Sequence, residues 1–596
     1  MFALAAASSR TAAAPAPDRV ETVKSSLQSQ RSALETRDSS GANADARDLA
    51  DAALLILLTG GNEADAERDL SEAFSTEDTN AGSPTYGAIR WRIHDPAVTD
   101  ANAIEFSAQA LGPILNQKEH PLSQQFLDSF RPRIALAVEG VRNHRVPVTY
   151  TNIFLMKTVN LILIGQYLKD AGVVREGEAD LDAWIDYTRR YGIHEFDSPI
   201  YYSTDLDSLV EGYRYAADPG DHKKFAAALE YFWTDIAANF FEGGHRISGP
   251  YSRDYDFIGG LGDLNVWLAD VGWDKGFTKV PNLGGVFSYD NLRPGGYAPQ
   301  QSIDELAKSG TREVTSSWDD VPTHERMDWV AQNVAIGCTS GSYSNEDKLF
   351  AATFAGPSSS TQISIVPDYQ NAPYGAHTGG HKPAHLPPWM GCVERGGAAL
   401  VTLDINPAIK PGPGGVSTSV LLPADAAIAV DGSPVTPVEG GVPVAANATI
   451  SATVGQATVA FKLCQSQSLN GVPPTLSLVT DGPALARHTV WLKISHLQPM
   501  ERTTERHLRL SFLFFAQDSG SAAAATQDVQ HTVVDESIRG QVWDAVAHLP
   551  GFPLEIQRSA TDQRVIFAEL INGKPVTRDT LAVNGKDLAG PIWAKL

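Results

Sequence analysis

The stretch "RRYGIHEFDSPIYYSTDLDSL", residues 189–209, sets His194, Glu195, Asp197, Tyr201, Tyr202 and Asp205 between two helical patterns. Imidazole, phenol and carboxyl groups at this density are the groups that move protons. A loop needing only to fill space would use the aromatic rings without the acids. Two further segments carry comparable chemistry. In "RNHRVPVTYTNIF", 142–154, Asn143, His144, Tyr150 and Asn152 stand at the entry to an apolar helix. Asn152 or Thr151 can cap that helix, and the Asn152 amide can equally donate to an anion held at its end. In "EGGHRISGPYSRDYDFIGGLG", 242–262, Arg246 and Arg253 alternate with Tyr251 and Tyr255 in a loop broken by Gly and Pro. An arginine there can clamp a carboxylate through paired N–H donors, and a tyrosine beside it can transfer a proton.

The elements that must hold these groups fall into two halves. From about residue 20 to 275, apolar residues recur at three- and four-residue spacings, as in "TNIFLMKTVNLILIGQYL" and "KKFAAALEYFWTDIAANFF", which predicts helices. Thr151 and Asp221 occupy expected N-cap positions. From about 310 the segments shorten, alternate and become β-branched, as in "TQISIV" and "RHLRLSFLFF". "NGK" at 572–574 and again at 584–586 is a hairpin turn signal. "RGQVWDAVAHL", 539–549, reads as a lone helix. The expected organisation is an Ala-rich segment over 1–18, a helical domain over 19–310 and an antiparallel β-sandwich over 311–596.

Composition narrows the partners. A chain of 596 residues with 20% charged residues divides into domains. Its net charge of -23 opposes binding to a nucleic-acid backbone, and no apolar run is long enough to span a bilayer. An anionic polymer would need a locally basic site. Cys338, Cys392 and Cys464 lack CxxC spacing and allow at most one bridge plus a free thiol. The start is either the remnant of an export signal or an unstructured tail, and secretion or periplasmic export is the expected location. "YGAHTGGHKPAHLPPWMGC", 374–392, spaces His377, His381 and His385 four apart. Its glycines and prolines oppose a helical metal site and predict a loop against the cleft. No cofactor is expected. Were a divalent metal bound at this loop it would be zinc, with Cys392 as a fourth ligand.

Helices first and antiparallel strands second, with Asn, then His and Tyr, then Arg and Tyr along the helical half, resembles the polysaccharide lyases built as an (α/α) toroid followed by a β-sandwich. Those are the hyaluronate and chondroitin lyases and the heparinase II/III-like enzymes. The chain departs from them in carrying "TNIF" where they follow the Asn with tryptophans, and in inserting Glu195 and Asp197 between His and Tyr. The resemblance implies β-elimination on a uronic-acid-containing polysaccharide. Asn152 and Arg253 would neutralise the carboxylate, His194 or Tyr202 would act as base and Tyr202 or Tyr255 as acid. Asn143, His144, Tyr150, Glu195, Asp197, Tyr201, Arg246, Tyr251, His377 and His381 would contact substrate. Trp91, Trp184, Trp233 and Trp267 are available to stack on sugar rings. The rival reading is an inverting glycoside hydrolase on the same toroid, with Glu195 and Asp197 as its two carboxylates.

Overall fold

The computed structural model describes residues 17–596 apart from 40–43, 256–261, 275, 279, 343, 357–361, 370–384, 409–413 and 481–489. The first half is a toroid of helical hairpins. Ala46–Leu58 pairs with Glu63–Ala73, and Thr151–Leu168 pairs with Ala171–Tyr191 and then with Tyr201–Tyr215. The helix Thr151–Leu168 is buried nearly all round and runs through the middle of this half. Local chemistry fixes the ends. Ser123 accepts from the Phe126 N–H at the start of Gln124–Asn143, and Asp170 accepts from Gly172 and Val173 at the start of Ala171–Tyr191. Two cap expectations are corrected. Asp218, with Pro219 following it, caps Pro219–Asn239, and Asp221 lies inside its first turn. Tyr150 occupies the cap position of Thr151–Leu168 and makes no side-chain cap bond.

The helical series ends at Gln301–Ala307, and Arg312–Ser317 opens the second half. Among the described residues an eleven-stranded antiparallel sheet runs as a meander through Glu325–Val330, Val334–Thr339, Phe350–Phe354 and Gln362–Asp368. A seven-stranded sheet containing Ala398–Ile405 and Leu508–Gln517 packs on it through Phe350, Phe354, Phe512 and Phe514. A five-stranded sheet covers the far face through Leu400, Leu513, Ala545 and Ile556. The expected (α/α) toroid followed by an antiparallel β-sandwich is therefore the architecture observed. Both NGK turns form. Asn572 and Gly573 have φ of 55° and 70°, and Asn584 and Gly585 have 50° and 73°, the left-handed pair that a two-residue hairpin requires.

The helix expected over 539–549 is instead the hairpin Val533–Arg539 with Val542–Leu549. Trp543, Ala545, Ala547 and Leu549 are buried in alternation, the period of a strand. Among the described residues the helices of this half are instead Ala522–His531, capped by Ser521, and the short Ala589–Trp593. Cys338 and Cys392 form a disulfide across a separation of 54 residues, and Cys464 is free. The bridge constrains the unfolded chain by about 4 kcal/mol. It also removes Cys392 from any zinc site, since its sulfur is no longer a thiolate ligand.

The two halves share a core. Val314, Ala351, Leu581 and Trp593 pack with Trp233, Leu264 and Trp267 of the toroid. Across this junction Arg326, fully buried, is ion-paired to Asp197 at 2.7 Å and to Asp235, and its Nε lies 3.8 Å from Asp328. Removing the guanidinium leaves three carboxylates buried without it. Arg326→Met is expected to lower unfolding stability by about 3–5 kcal/mol, read as a shift of the urea midpoint. An unchanged midpoint would remove this network from the list of structural supports.

Candidate active site

The site is built from the starts of two toroid helices and the loop that follows the short strand Arg246–Ile247, with one loop of the sandwich behind it. Ile193–Ile200 leaves the helix Ala171–Tyr191 and enters Tyr201–Tyr215. The helix presents Tyr201, Thr204 and Asp207, at three-residue steps, to a cavity of about 310 Å³. Arg253 and Tyr255, from the Gly- and Pro-broken loop, line the same cavity, as do Tyr150 and Trp91. This volume is at the small end of the range of about 300–1,000 Å³ typical of ligand sites.

At the cavity wall three side chains share hydrogen bonds. The Tyr201 and Tyr255 hydroxyls are 2.6 Å apart. Arg253 Nη2 donates to Tyr255 at 2.8 Å and to Tyr201 at 3.2 Å. The guanidinium also lies 5.1 Å from the Tyr201 ring centre, a cation–π distance. The sandwich holds Arg253 from behind, with Glu346 Oε2 2.9 Å from its Nε and Asp347 accepting its backbone N–H at 3.1 Å. Arg253 takes a left-handed φ of 48°, a conformation that costs a non-glycine residue free energy. These contacts hold it there.

Glu195 is fully buried behind the arginine, its Oε1 3.8 Å from Arg253 Nη1. Its Oε2 accepts from the Asn152 backbone N–H at 3.0 Å and from Asn152 Nδ2 at 2.7 Å. Burial pushes the Glu195 carboxyl up to about 7, against the pull of the Asn152 bonds and of Arg253. Burial likewise raises the Tyr201 phenol, so it is a proton donor at neutral pH even though Arg253 opposes the shift. Burial works against the Arg253 charge, but Tyr201, Tyr255 and Glu195 outweigh it, and the guanidinium stays charged.

Of the expected site residues, Tyr150, Tyr201, Arg253 and Tyr255 line the cavity, and Asn152 and Glu195 stand directly behind Arg253. Others point elsewhere. Tyr202 is fully buried and donates to Asp235 at 2.6 Å. Neighbours on a helix are turned by about 100°, so Tyr201 faces the cavity and Tyr202 the core. His194 lies 5.4 Å from the Trp318 ring, beside the sandwich, and burial lowers its pKa. Asp197 belongs to the Arg326 network. Asn143 is exposed and donates to the Tyr86 carbonyl, while His144 bonds Glu105 at 2.9 Å. Tyr251 is buried and donates to the Ile247 carbonyl, and Arg246 is buried in the short strand Arg246–Ile247. His377 and His381 lie outside the described residues. Trp184 and Trp233 are core, whereas Trp91 and Trp267 reach the cavity.

Sequence reasoning missed Glu346, Asp347, Arg47 and Asp207. Asp207 was readable in principle from its six-residue offset from Tyr201. Glu346 was not, because its loop joins the site only through tertiary packing. Among the described residues no group of three or more His, Cys, Asp or Glu side chains is placed to hold a metal ion, and no helix is long and apolar enough to cross a membrane.

A family model described as a domain of unknown function, DUF8769, matches residues 53–261, the stretch that carries Tyr201, Arg253 and Tyr255. No curated protein matches the chain in sequence. Among solved structures the chain is similar to the Streptomyces coelicolor chondroitin AC lyase in complex with chondroitin sulphate. That match has 9% identity and a TM-score of 0.45, and covers 91% of this chain and 84% of that one. A heparinase III structure matches at 10% identity and a TM-score of 0.37, over 85% of this chain and 81% of that one.

Proposed function

We propose that this protein is a carbon–oxygen lyase that cleaves a uronic-acid-containing polysaccharide by β-elimination. The observation that carries the reading is the Tyr201–Tyr255–Arg253 cluster on the cavity wall. Elimination at a uronate removes the proton on C5, beside the carboxylate, and the charged carboxylate resists it. Arg253 would neutralise that carboxylate and stabilise the enolate-like intermediate. The base is Tyr255 in its phenolate form, a charge that two donors meet, Arg253 Nη2 and the Tyr201 hydroxyl. The C5 proton passes to Tyr255, the C5–H electrons form the C4–C5 double bond and the C4–O bond breaks. Tyr201, held protonated by burial, gives its proton to the leaving glycosidic oxygen. A proton then returns from Tyr255 to Tyr201 along their 2.6 Å bond and resets the pair. Asn152 acts through Glu195 as a positioning residue, since its amide is given to that carboxyl.

The test is a panel of uronate-containing and neutral polysaccharides followed by ultraviolet absorbance and by reducing ends. Both signals rise together on a uronate polymer if the reaction is elimination. Reducing ends without the absorbance would assign hydrolysis. Against hydrolysis stands Asp197, whose carboxylate is committed to Arg326.

Glu195 predicts a pH dependence. Below about pH 7 its carboxyl is protonated and adds no charge. As pH rises through that value it becomes an anion 3.8 Å from Arg253 Nη1 and competes with the substrate carboxylate. A decline in kcat/KM on that side is expected, and Glu195→Gln, neutral at every pH, should abolish it. A decline that persists in the variant belongs to another group.

A further inference from the structure

The loop that carries Arg253 and Tyr255 is gripped by consecutive residues of the sandwich. Tyr251 and Lys348 exchange backbone bonds, the Tyr251 N–H donating at 2.9 Å and the Lys348 N–H at 2.8 Å. The Asp254 N–H donates to the Glu346 carbonyl at 3.0 Å, beside the bond from the Arg253 N–H to Asp347. Glu346 and Asp347 thus hold Arg253 itself. Lys348 holds the residue between the two that line the cavity. Asp254 is buried, and its Oδ2 lies 2.8 Å from Lys348 Nζ, which is buried as well. Lys348 Nζ also donates to Gln362 Oε1 at 3.0 Å and stands 5.2 Å from the Tyr251 ring centre. Gln362 sends its Nε2 to the Tyr251 hydroxyl at 2.6 Å and to Thr353 Oγ1 at 2.9 Å. Thr353 donates in turn to the Ser248 carbonyl at 2.9 Å. One buried network therefore runs from the strands Phe350–Phe354 and Gln362–Asp368, through Lys348, to residues on both sides of Arg253.

A buried ion pair is a poor source of stability. Desolvation of the two charges offsets their attraction, and apolar side chains of similar volume in their place are often as stable. What the pair supplies is direction. An ammonium held out of water needs its acceptors at fixed positions, and Asp254 must turn inward to meet it. Arg253 stands in the left-handed region, with φ of 48°, so the chain turns sharply just before Asp254. With Asp254 fixed inward, its neighbours Arg253 and Tyr255 are left facing the cavity. Releasing Asp254 would shift both together, and a misplacement of reacting groups by about 1 Å costs about 10²-fold in rate.

We infer, resting on the assignment of Arg253 and Tyr255 in the elimination reading above, that Lys348 is a positioning residue of the active site. Through Asp254 it fixes the turn that sets both side chains on the cavity wall.

The experiment replaces the pair by apolar residues, Lys348→Met with Asp254→Leu, and reads three quantities: the thermal midpoint, steady-state rates on the polysaccharide panel, and amide hydrogen exchange by mass spectrometry on the peptide that carries residues 251–255. The double variant is expected to unfold close to the wild-type temperature. Its kcat should fall by about 10²-fold while KM moves by less than about threefold. Exchange at 251–255 should quicken by about tenfold or more, with exchange in Thr151–Leu168 unchanged. A merely structural pair would lower the thermal midpoint and leave the kcat of the folded fraction alone. Asp254→Asn, which keeps the side chain's shape and removes its charge, carries the same test should the double variant not fold, with exchange at 251–255 expected to quicken severalfold. A folded variant with wild-type exchange at 251–255, or with near-normal kcat, overturns the inference and leaves the elimination reading intact. Reducing ends without absorbance from the wild-type chain overturn the elimination reading, and exchange at 251–255, which needs no substrate, then still decides whether Lys348 holds the loop.

Discussion

Arg253→Ala is expected to reduce kcat/KM on a uronate polymer by about 10³-fold, the loss seen when a preorganised donor to developing negative charge is removed. The expected loss lies at the upper end because Arg253 serves two charges. It faces the cavity where a carboxylate must be neutralised, and its Nη2 bonds Tyr255 at 2.8 Å. Arg253→Lys should recover little of the activity. A lysine carries the charge, but it has one nitrogen where the guanidinium reaches Tyr255 and Tyr201 from Nη2 and Glu346 from Nε. Deleting Arg253 also takes the cation away from Glu195 and Glu346, so thermal unfolding is measured on the same samples. A folded Arg253→Ala protein with near-normal kcat/KM would exclude the carboxylate-neutralising role.

Tyr255→Phe is the second large effect, expected at about 10²–10⁴ in kcat for loss of a proton-transfer group. The ring is retained, so packing against Tyr201, at 6.0 Å between ring centres, is preserved. Only the oxygen that accepts from Arg253 and pairs with Tyr201 is lost. KM should move little, because the missing interaction belongs to the transition state. Tyr201→Phe should cost a similar factor on polymer and less on a substrate analogue whose leaving group needs no proton. That contrast separates acid from base. Equal losses on both substrates would reverse the assignment or merge the two roles in one residue. Tyr202→Phe is the internal control. It breaks a buried bond to Asp235 and should lower stability while leaving the chemistry of the folded fraction intact.

Some features were legible along the chain because their causes are local. The NGK turns depend on two adjacent residues that tolerate positive φ, and they formed at both places. The change from helical to strand periodicity near residue 310 reflects which face of each segment is buried, and the last toroid helix and the first sandwich strand fall at 307 and 312. Val542–Leu549 misled because Trp543, Ala545, Ala547 and Leu549 satisfy a strand's alternation while Val542, Val546 and Leu549 satisfy a helix's spacing. Pairing with Val533–Arg539 and Phe552–Ser559 decides it. Residue type marks Arg253, Tyr255 and Tyr202 as catalytic candidates and Tyr201 as a substrate contact, whereas the cluster on the cavity wall contains Tyr201 and not Tyr202.

What the sequence by itself determined is therefore the order of helices and strands, the net charge of -23, and the three segments that hold proton-transfer groups. Only the tertiary structure decided which member of each segment faces the cavity. Tyr201 and Tyr202 are chemically equivalent in sequence and are separated by a helical rotation, so one reaches the cavity and the other an ion network in the core. Glu195 and Asp197 are separated by one residue, yet one backs Arg253 and the other is paired to Arg326 of the sandwich. Glu346 enters from more than ninety positions beyond the arginine it holds. Residue type and periodicity depend on neighbours within a few positions, whereas burial, charge pairing and the direction of a side chain depend on what the fold brings alongside.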